Sequence, residues 1–410
     1  MRTIAFWLSL VVLFTFPWED MVILPGLGSL SRVVGLSAAA FWVATVVVTG
    51  RLRKLRPFHI IILLFVLWNT ASIAWTKDPV RTFDRVESYV QLLGLSLMLW
   101  DLMITPANLR AGLQAYVLGA YVGVISIVYN YANGIEAYNF AHGRYSATNT
   151  NPNEFGLILA LGLPLAWYLA TSPGQGKKSH LVTLLNLAFI PLAFYSITLT
   201  ASRGSLAASL PGFLFMLASM TRLKPSHRIL IVVTLVSALL FLIPRIPAAS
   251  IERFGTTGSY NNPDEFDLNG RVDIWAQGLD TFMEHPLIGV GSNAYRAAIE
   301  IGRAPHNTHL SVLVELGLIG YGLFAGVIFS TVYLAFQQPK QVTGLWLTIL
   351  VIWLTGTLVH NWEHTKHTWL LFSLVAIGAN LTITKVEAKP SPAAYRADKL
   401  VDQPALPLTS

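Results

Sequence analysis

Apolar runs of about 18 to 22 residues recur along this 410-residue chain, and they constrain its fold more than any other feature. Each run can cross ~30 Å of hydrocarbon at about 1.5 Å per residue, a length that core helices of soluble proteins rarely sustain. Hydrophobic residues make up 54% of the chain and charged residues 12%, roughly half the charged share of a soluble domain. The solvent is therefore a bilayer, and the expected fold class is an all-α integral membrane protein of about twelve transmembrane helices. There are no cysteines, which excludes disulfides and thiolate metal sites, so a large external loop must be held by packing.

The expected spans lie near residues 4–18, 33–50, 58–75, 87–105, 111–130, 154–171, 182–200, 204–220, 229–244, 309–336, 344–360 and 369–384. Met1, Arg2 and Thr3 lead into the first run like the start of an uncleaved span, and Phe16-Pro17-Trp18-Glu19-Asp20 lacks the small residues of a cleavage site. Basic clusters at Arg51 to Arg56, Lys177-Lys178, Arg222 to Arg228 and Lys385 to Lys399 fall on alternate loops of one side. That side, with both termini, is expected to be cytoplasmic. Roughly 16 Lys and Arg against 4 Asp and Glu sort inside, and roughly 12 against 17 outside. The net charge of +7 is thus an excess at anionic lipid headgroups; the basic clusters lack interleaved aromatics, and no nucleic-acid partner is expected.

Three external segments exceed a short connection, at 75–84, 131–153 and 246–306. In the longest, Ile274, Trp275, Leu279 and Phe282 recur at helical spacing before Pro286, which predicts an amphipathic helix on the membrane surface or over the bundle. The expected organisation is one polytopic domain over 1–390, a loop at 246–306 inserted between the ninth and tenth spans, and a disordered cytoplasmic tail at 391–410.

Four places outside carry candidate chemistry. Arg203 sits in Thr198-Leu199-Thr200-Ala201-Ser202-Arg203-Gly204-Ser205, a small-residue break at the outer boundary, where an arginine either snorkels to headgroups or binds an anion. Arg271, in Asn269-Gly270-Arg271-Val272-Asp273, opens the expected surface helix, whose N-terminus adds positive potential; the bland alternative is a loop arginine paired with Asp267 or Asp273. His306, in Pro305-His306-Asn307, stands where the loop re-enters the membrane and could take a proton from a hydroxyl, although a lone histidine is more often structural. Arg144 precedes Asn149-Thr150-Asn151-Pro152-Asn153, whose carboxamides suit sugar hydroxyls, with Asn153 alternatively a helix N-cap.

His306 and His309, three apart, with His360, His364 and His367 raise a zinc reading. It fails the metalloprotease pattern because Glu363 adjoins the second histidine, and Lys366 among these residues favours an anion over a cation. A Walker A loop, a Gly-x-Ser-x-Gly elbow and an Asp-x-Asp pair are all absent from the sequence, so neither metal nor nucleotide cofactor is expected.

Taken in order, Asn151-Pro152-Asn153, Ser202-Arg203-Gly204, Gly270-Arg271 through Trp275, His285-Pro286-Leu287-Ile288-Gly289-Val290-Gly291, Pro305-His306-Asn307 and Glu315-Leu316-Gly317-Leu318-Ile319-Gly320 resemble the O-antigen ligase and O-antigen polymerase superfamily of bacterial membrane glycosyltransferases. The resemblance spans residues 144 to 322. It implies a GT-C-like fold with a periplasmic loop capping a cavity, in the bacterial inner membrane, with the active site facing the periplasm. The implied donor is an undecaprenyl diphosphate-linked glycan and the implied acceptor a lipid A-core sugar hydroxyl. Arg203 and Arg271 stand where that family holds the diphosphate, and His306 where it acts on the acceptor. His309, so close to His306, leaves open which imidazole is the base, and Arg144, His309 and Lys366 are further candidate substrate contacts. A polymerase of the same superfamily is the near alternative and a secondary transporter the distant one, the latter disfavoured by the external position of the long loop and the lack of an internal repeat.

Overall fold

A computed structural model of the chain describes residues 1–138, 140, 143–172, 179–255 and 271–387. The expected disordered tail at 391–410, the Lys177-Lys178 cluster and Asn269-Gly270 lie outside the described residues. Twelve helices coincide with the twelve apolar runs: α1 Arg2–Thr15, α2 Leu30–Thr49, α3 Pro57–Ala71, α4 Pro79–Leu102, α5 Pro106–Ala132, α6 Pro152–Thr171, α7 His180–Leu199, α8 Arg203–Met220 and α9 Pro225–Leu242, then, after the loop, α13 Thr308–Phe336, α14 Lys340–Thr357 and α15 Lys366–Glu387. Among the described residues between them are the shorter helices α10 Ala248–Gly255, α11 Arg271–Glu284 and α12 Tyr295–Ala298. A two-residue antiparallel pairing, Ile23–Leu24 with Gly28–Ser29, forms a small hairpin before α2. The protein is an all-α, multi-pass membrane protein.

Local chemistry explains where these helices begin. Pro57, Pro79, Pro106, Pro152 and Pro225 each occupy the first helical turn, where the missing N–H would be unsatisfied anyway. Side chains of Ser29, Asp78, Thr105, Asn151, Ser202 and Asn307 accept hydrogen bonds from the first free backbone N–H groups of their helices. The cap of α6 is thus Asn151, which corrects the sequence assignment of that role to Asn153.

Eight of the described helices are long and apolar enough to cross a bilayer by composition alone. The fourth of the twelve shows why the others are not. α4 begins at Pro79, eight residues before the apolar run, and its first turns carry Arg81, Asp84, Arg85, Glu87 and Gln91. Of these, Arg85 and Gln91 line a cavity instead of lipid, so an apolarity criterion trims a helix that the backbone completes. The segment 75–84, expected as loop, is therefore largely the start of this helix.

The two ends of the bundle differ in charge. At one end Asp101, fully buried, accepts from the Arg53 backbone N–H at 2.8 Å and the Trp42 indole at 3.0 Å and pairs with Arg2 at 3.0 Å, while Arg56 donates to Asn380. The first basic cluster and the N-terminus therefore meet there. At the other end the starts of α2, α4, α6, α13 and α15 surround cavities.

The described part of the long loop from 271 to 306 packs over the bundle. Ile274, Gly278 and Thr281 of α11 are buried, and Ile274 joins Val290, Ala294, Tyr295, Ile299 and Val314 in a satellite core. Leu279, expected on the apolar face, is instead 50% exposed, because Gly278 and Thr281 provide the contact. Gly278 has to be a glycine, since a Cβ there would lie 1.9 Å from the Tyr295 hydroxyl. Below this core, two of the sequence motifs interlock. α13 breaks at Gly317, with φ 66° and ψ −169°, and the turn that begins at Pro286 bonds into the gap: Val290 N–H to Val314 O at 3.1 Å, Gly291 N–H to Glu315 O at 2.8 Å, and Leu318 N–H to Pro286 O at 2.8 Å. A Cβ on Gly317 would meet Leu287 backbone at 2.3 Å. Gly317→Ala is therefore expected to destabilise the protein by about 3 kcal/mol from backbone strain before the clash is counted, read as a lower unfolding midpoint in detergent. An unchanged midpoint would show that the interlock is dispensable.

Candidate active site

Two cavities open at this end and share residues. The larger, about 710 Å³, is lined among others by Glu19, Asp20, Arg85, Glu154, Tyr295, Arg296, His306, Glu315, Lys366 and His367. The smaller, about 260 Å³, is lined by Arg271, Ile274, Arg296, Gly302, Arg303, Ala304 and His306. Arg296, Ala304 and His306 belong to both linings. His306 thus stands on the rim between a chamber of mixed charge and a pocket holding three guanidinium groups.

Backbone and packing fix His306 there. Its φ of +48° lies in the left-handed region, which a residue other than glycine or asparagine occupies at a cost of about 1–3 kcal/mol. Asn307 caps α13 through its side chain, and the Trp275 indole donates to the Pro305 carbonyl at 2.7 Å, tying the turn to α11. The other non-glycine residues with positive φ among those described are Asn149, Ala201 and Asn293, each in a loop at this same end of the bundle. Strain is concentrated around the cavities, as it often is at functional sites.

The electrostatics follow from the same arrangement. Burial, then the nearby Arg271 and Arg296, pushes the His306 imidazole below its ordinary range, so it is neutral at pH 7 and able to accept a proton. Burial also lowers Arg271, without threatening its charge. His360, 6% exposed, is pushed to about 3 by burial and by His306, Arg271 and Arg144.

The remaining candidates have distinct places. Arg144, 4% exposed, donates to Thr200 O at 2.9 Å and to Asn153 Oδ1 at 2.6 Å, so it locks the loop before α8 to the start of α6. Arg203 is the first residue of α8, one position after the Ser202 cap, with an exposed side chain, and Gly204 faces Val359 beside His360. His309 is the second residue of α13, within 3.4 Å of both the Tyr321 and Thr357 hydroxyls. Lys366 lines the larger chamber and is ion-paired with Glu19. Arg271 and His306 are therefore brought together on one pocket, Lys366 stands across the larger chamber, and Arg203, Arg144 and His309 lie outside both linings. Among the described residues no three His, Asp or Glu side chains converge as a metal-binding set.

Three groups escaped the sequence reading. Arg296 and Arg303 both precede the Pro305-His306 turn and complete the basic pocket, and their only sequence signal is two cations close before that turn. The third is a buried network in which Arg85 pairs with Glu363 at 2.7 Å and donates to Asn293 Oδ1 at 3.0 Å, while Asn293 N–H donates to Glu315 at 2.7 Å. Burial alone would raise the Glu363 carboxyl; His364 and Arg85 outweigh it and hold it at about 2. The partners are hundreds of positions apart, so no local spacing announces them.

Fold and site together define a multi-pass membrane protein with a polar chamber at one end of its helix bundle. Residues 188–325 match the family model described as O-antigen ligase, a stretch containing Arg203, Arg271 and His306. The chain is also similar to the exopolysaccharide production protein ExoQ of Rhizobium meliloti (strain 1021), at 23% identity over 294 residues, which cover 66% of this chain and 64% of that one.

Proposed function

We propose that the protein is a membrane glycosyltransferase that moves a glycan from undecaprenyl diphosphate to a sugar hydroxyl of a lipid A-core acceptor, in the bacterial inner membrane with its cavities open to the periplasm. The observation that carries this reading is His306 on the rim shared by the basic pocket and the larger chamber. Arg271, Arg296 and Arg303 would hold the diphosphate, because planar guanidinium groups bind phosphate oxygens in pairs. Arg203 and Arg144, which lie outside both linings, are assigned no part in holding it.

The chemistry needs no further group. The neutral His306 imidazole accepts the acceptor hydroxyl proton, the oxygen attacks the anomeric carbon, and the bond from that carbon to the diphosphate oxygen breaks with inversion. The charge released onto the diphosphate is met by guanidinium groups already oriented in a partly dry pocket. His309, held between Tyr321 and Thr357, is less suited to meet an acceptor, which favours His306 as the base.

A second reading, in which the acceptor is another lipid-linked repeat unit and the protein is a polymerase, is supported by the similarity to an exopolysaccharide production protein. An acceptor swap with purified protein separates the two: product formed without lipid A-core acceptor would rule against the ligase. Mass spectrometry of co-purifying lipids tests the donor, and a polyprenyl diphosphate is the expected finding. In Arg271→Lys, which keeps charge and loses the fork, donor affinity is expected to fall about tenfold with normal membrane insertion. Binding as tight as that of the wild type would defeat the clamp.

A further inference from the structure

Among the described residues the larger chamber is lined by three imidazoles, His306, His364 and His367, and of these His364 alone is hydrogen-bonded to a carboxylate. Its Nδ1 lies 3.0 Å from Glu363 Oε1, the oxygen that also receives Arg85 Nη1 at 2.7 Å. The two partners differ in exposure: the Glu363 side chain is 1% exposed and that of His364 34%. An ionised carboxylate can only accept, so Nδ1 carries the ring proton. Burial, then the Arg85 guanidinium, outweighs Glu363 and holds the imidazole below its ordinary range, which leaves Nε2 without a proton at pH 7. Arg85 already balances the charge of Glu363, so what the second bond adds is a fixed tautomer and ring direction.

We propose that His364 contacts the acceptor sugar, its Nε2 accepting a hydrogen bond from a hydroxyl other than the one that attacks, and that Glu363 is the positioning residue behind it. This rests on the transferase reading and adds to it the group that holds the acceptor. His306 stands on the rim with the basic pocket, where the attacking hydroxyl meets the donor, and His364 lines the chamber that receives the rest of the acceptor. At about 710 Å³ that chamber has the size of a small-molecule site. An unprotonated ring nitrogen receives an O–H, whereas an ionised phosphate oxygen has no hydrogen to give, so the contact suits a sugar hydroxyl and not the diphosphate of the donor. The acceptor class that follows is a sugar with at least two free hydroxyls, one for each imidazole.

Two substitutions divide the functions of the ring. His364→Asn places an amide near the Nδ1 position, keeping a donor for Glu363 and removing Nε2, whereas His364→Gln places its amide near Nε2 and gives up the Glu363 bond. Full-length protein in lipid nanodiscs is assayed for transfer from an undecaprenyl diphosphate-linked glycan to lipid A-core, each substrate varied in turn. His364→Asn is expected to raise the acceptor KM about tenfold, with kcat and donor KM within about threefold of wild type, the pattern of a lost binding contact. His364→Gln is expected to keep the acceptor KM within about threefold of wild type while lowering the unfolding midpoint. A structural histidine gives the opposite order, because its Glu363 bond survives in His364→Asn and not in His364→Gln. If His364→Gln does not insert, His364→Asn alone carries the test. An unchanged acceptor KM in His364→Asn, a larger rise in His364→Gln, or a rise in donor KM instead would each overturn the assignment. Wild-type protein that transfers nothing to lipid A-core would sink the ligase reading and this contact with it, whereas an active wild type with unaltered kinetics in the variants sinks the contact alone.

Discussion

Replacing His306 with alanine is expected to lower glycan transfer by about 10²- to 10⁴-fold, the usual contribution of a positioned general base, while binding of polyprenyl diphosphate stays near the wild-type level. The two readouts divide because His306 faces both cavities while the positive charge of the basic pocket comes from Arg271, Arg296 and Arg303. Transfer measured with a lipid-linked glycan and donor binding measured by native mass spectrometry give the split. Loss of donor binding in His306→Ala would make the imidazole a diphosphate ligand or a structural group. The pH profile adds a second check. Burial, Arg271 and Arg296 all disfavour the imidazolium, so activity is expected to survive acidification through pH 6.5, the ordinary histidine value, and to fail only below it. Removing a neighbouring cation, as in Arg296→Gln, raises the imidazole and should move that acid limb upward. A limb that stays in place would show that another group titrates there.

The spans were legible because hydrocarbon leaves the backbone no choice: an apolar run of that length has to be helical, and Pro and Asn, Ser, Asp or Thr mark the starts. Legibility failed where polar residues occupy a membrane helix for the sake of a cavity, as in the first two turns of α4. The site was half legible. Arg271 and His306 were conspicuous as polar residues at boundaries, and the structure sets them on one pocket. Asn153 misled, because a carboxamide before an apolar run signals a cap whether it caps or, as here, holds Arg144 while Asn151 caps. Leu279 misled because helical periodicity identifies a face but not the glycine that allows closest approach. Arg296 and Arg303 were passed over since nothing near them in sequence says that a cavity lies between their helix and turn.

The Arg85 network is the least legible part and is expected to give the largest stability effect. Arg85 reaches from α4 to Glu363, in the connection before α15, and to Asn293, in the connection before α12, whose N–H binds Glu315. It therefore fastens two loops of the active end to one helix. Glu363 is 1% exposed and its Oε2 has no hydrogen-bond partner, so Arg85 and His364 supply its compensation. Arg85→Met keeps much of the packing volume and strands Glu363 and Glu315 together, and such a stranded buried charge costs about 3–5 kcal/mol. Glu363→Gln in the same background removes one of the two charges, while Glu315 keeps the Asn293 N–H and the Ser311 hydroxyl as donors. The double variant is therefore expected to be more stable than Arg85→Met alone, a sign that additive damage cannot produce. Unfolding midpoints of wild type, both single variants and the double variant in one detergent supply the cycle. If the double variant unfolds below Arg85→Met, the carboxylates contribute packing and not charge, and Arg85 holds the loops by hydrogen bonds alone.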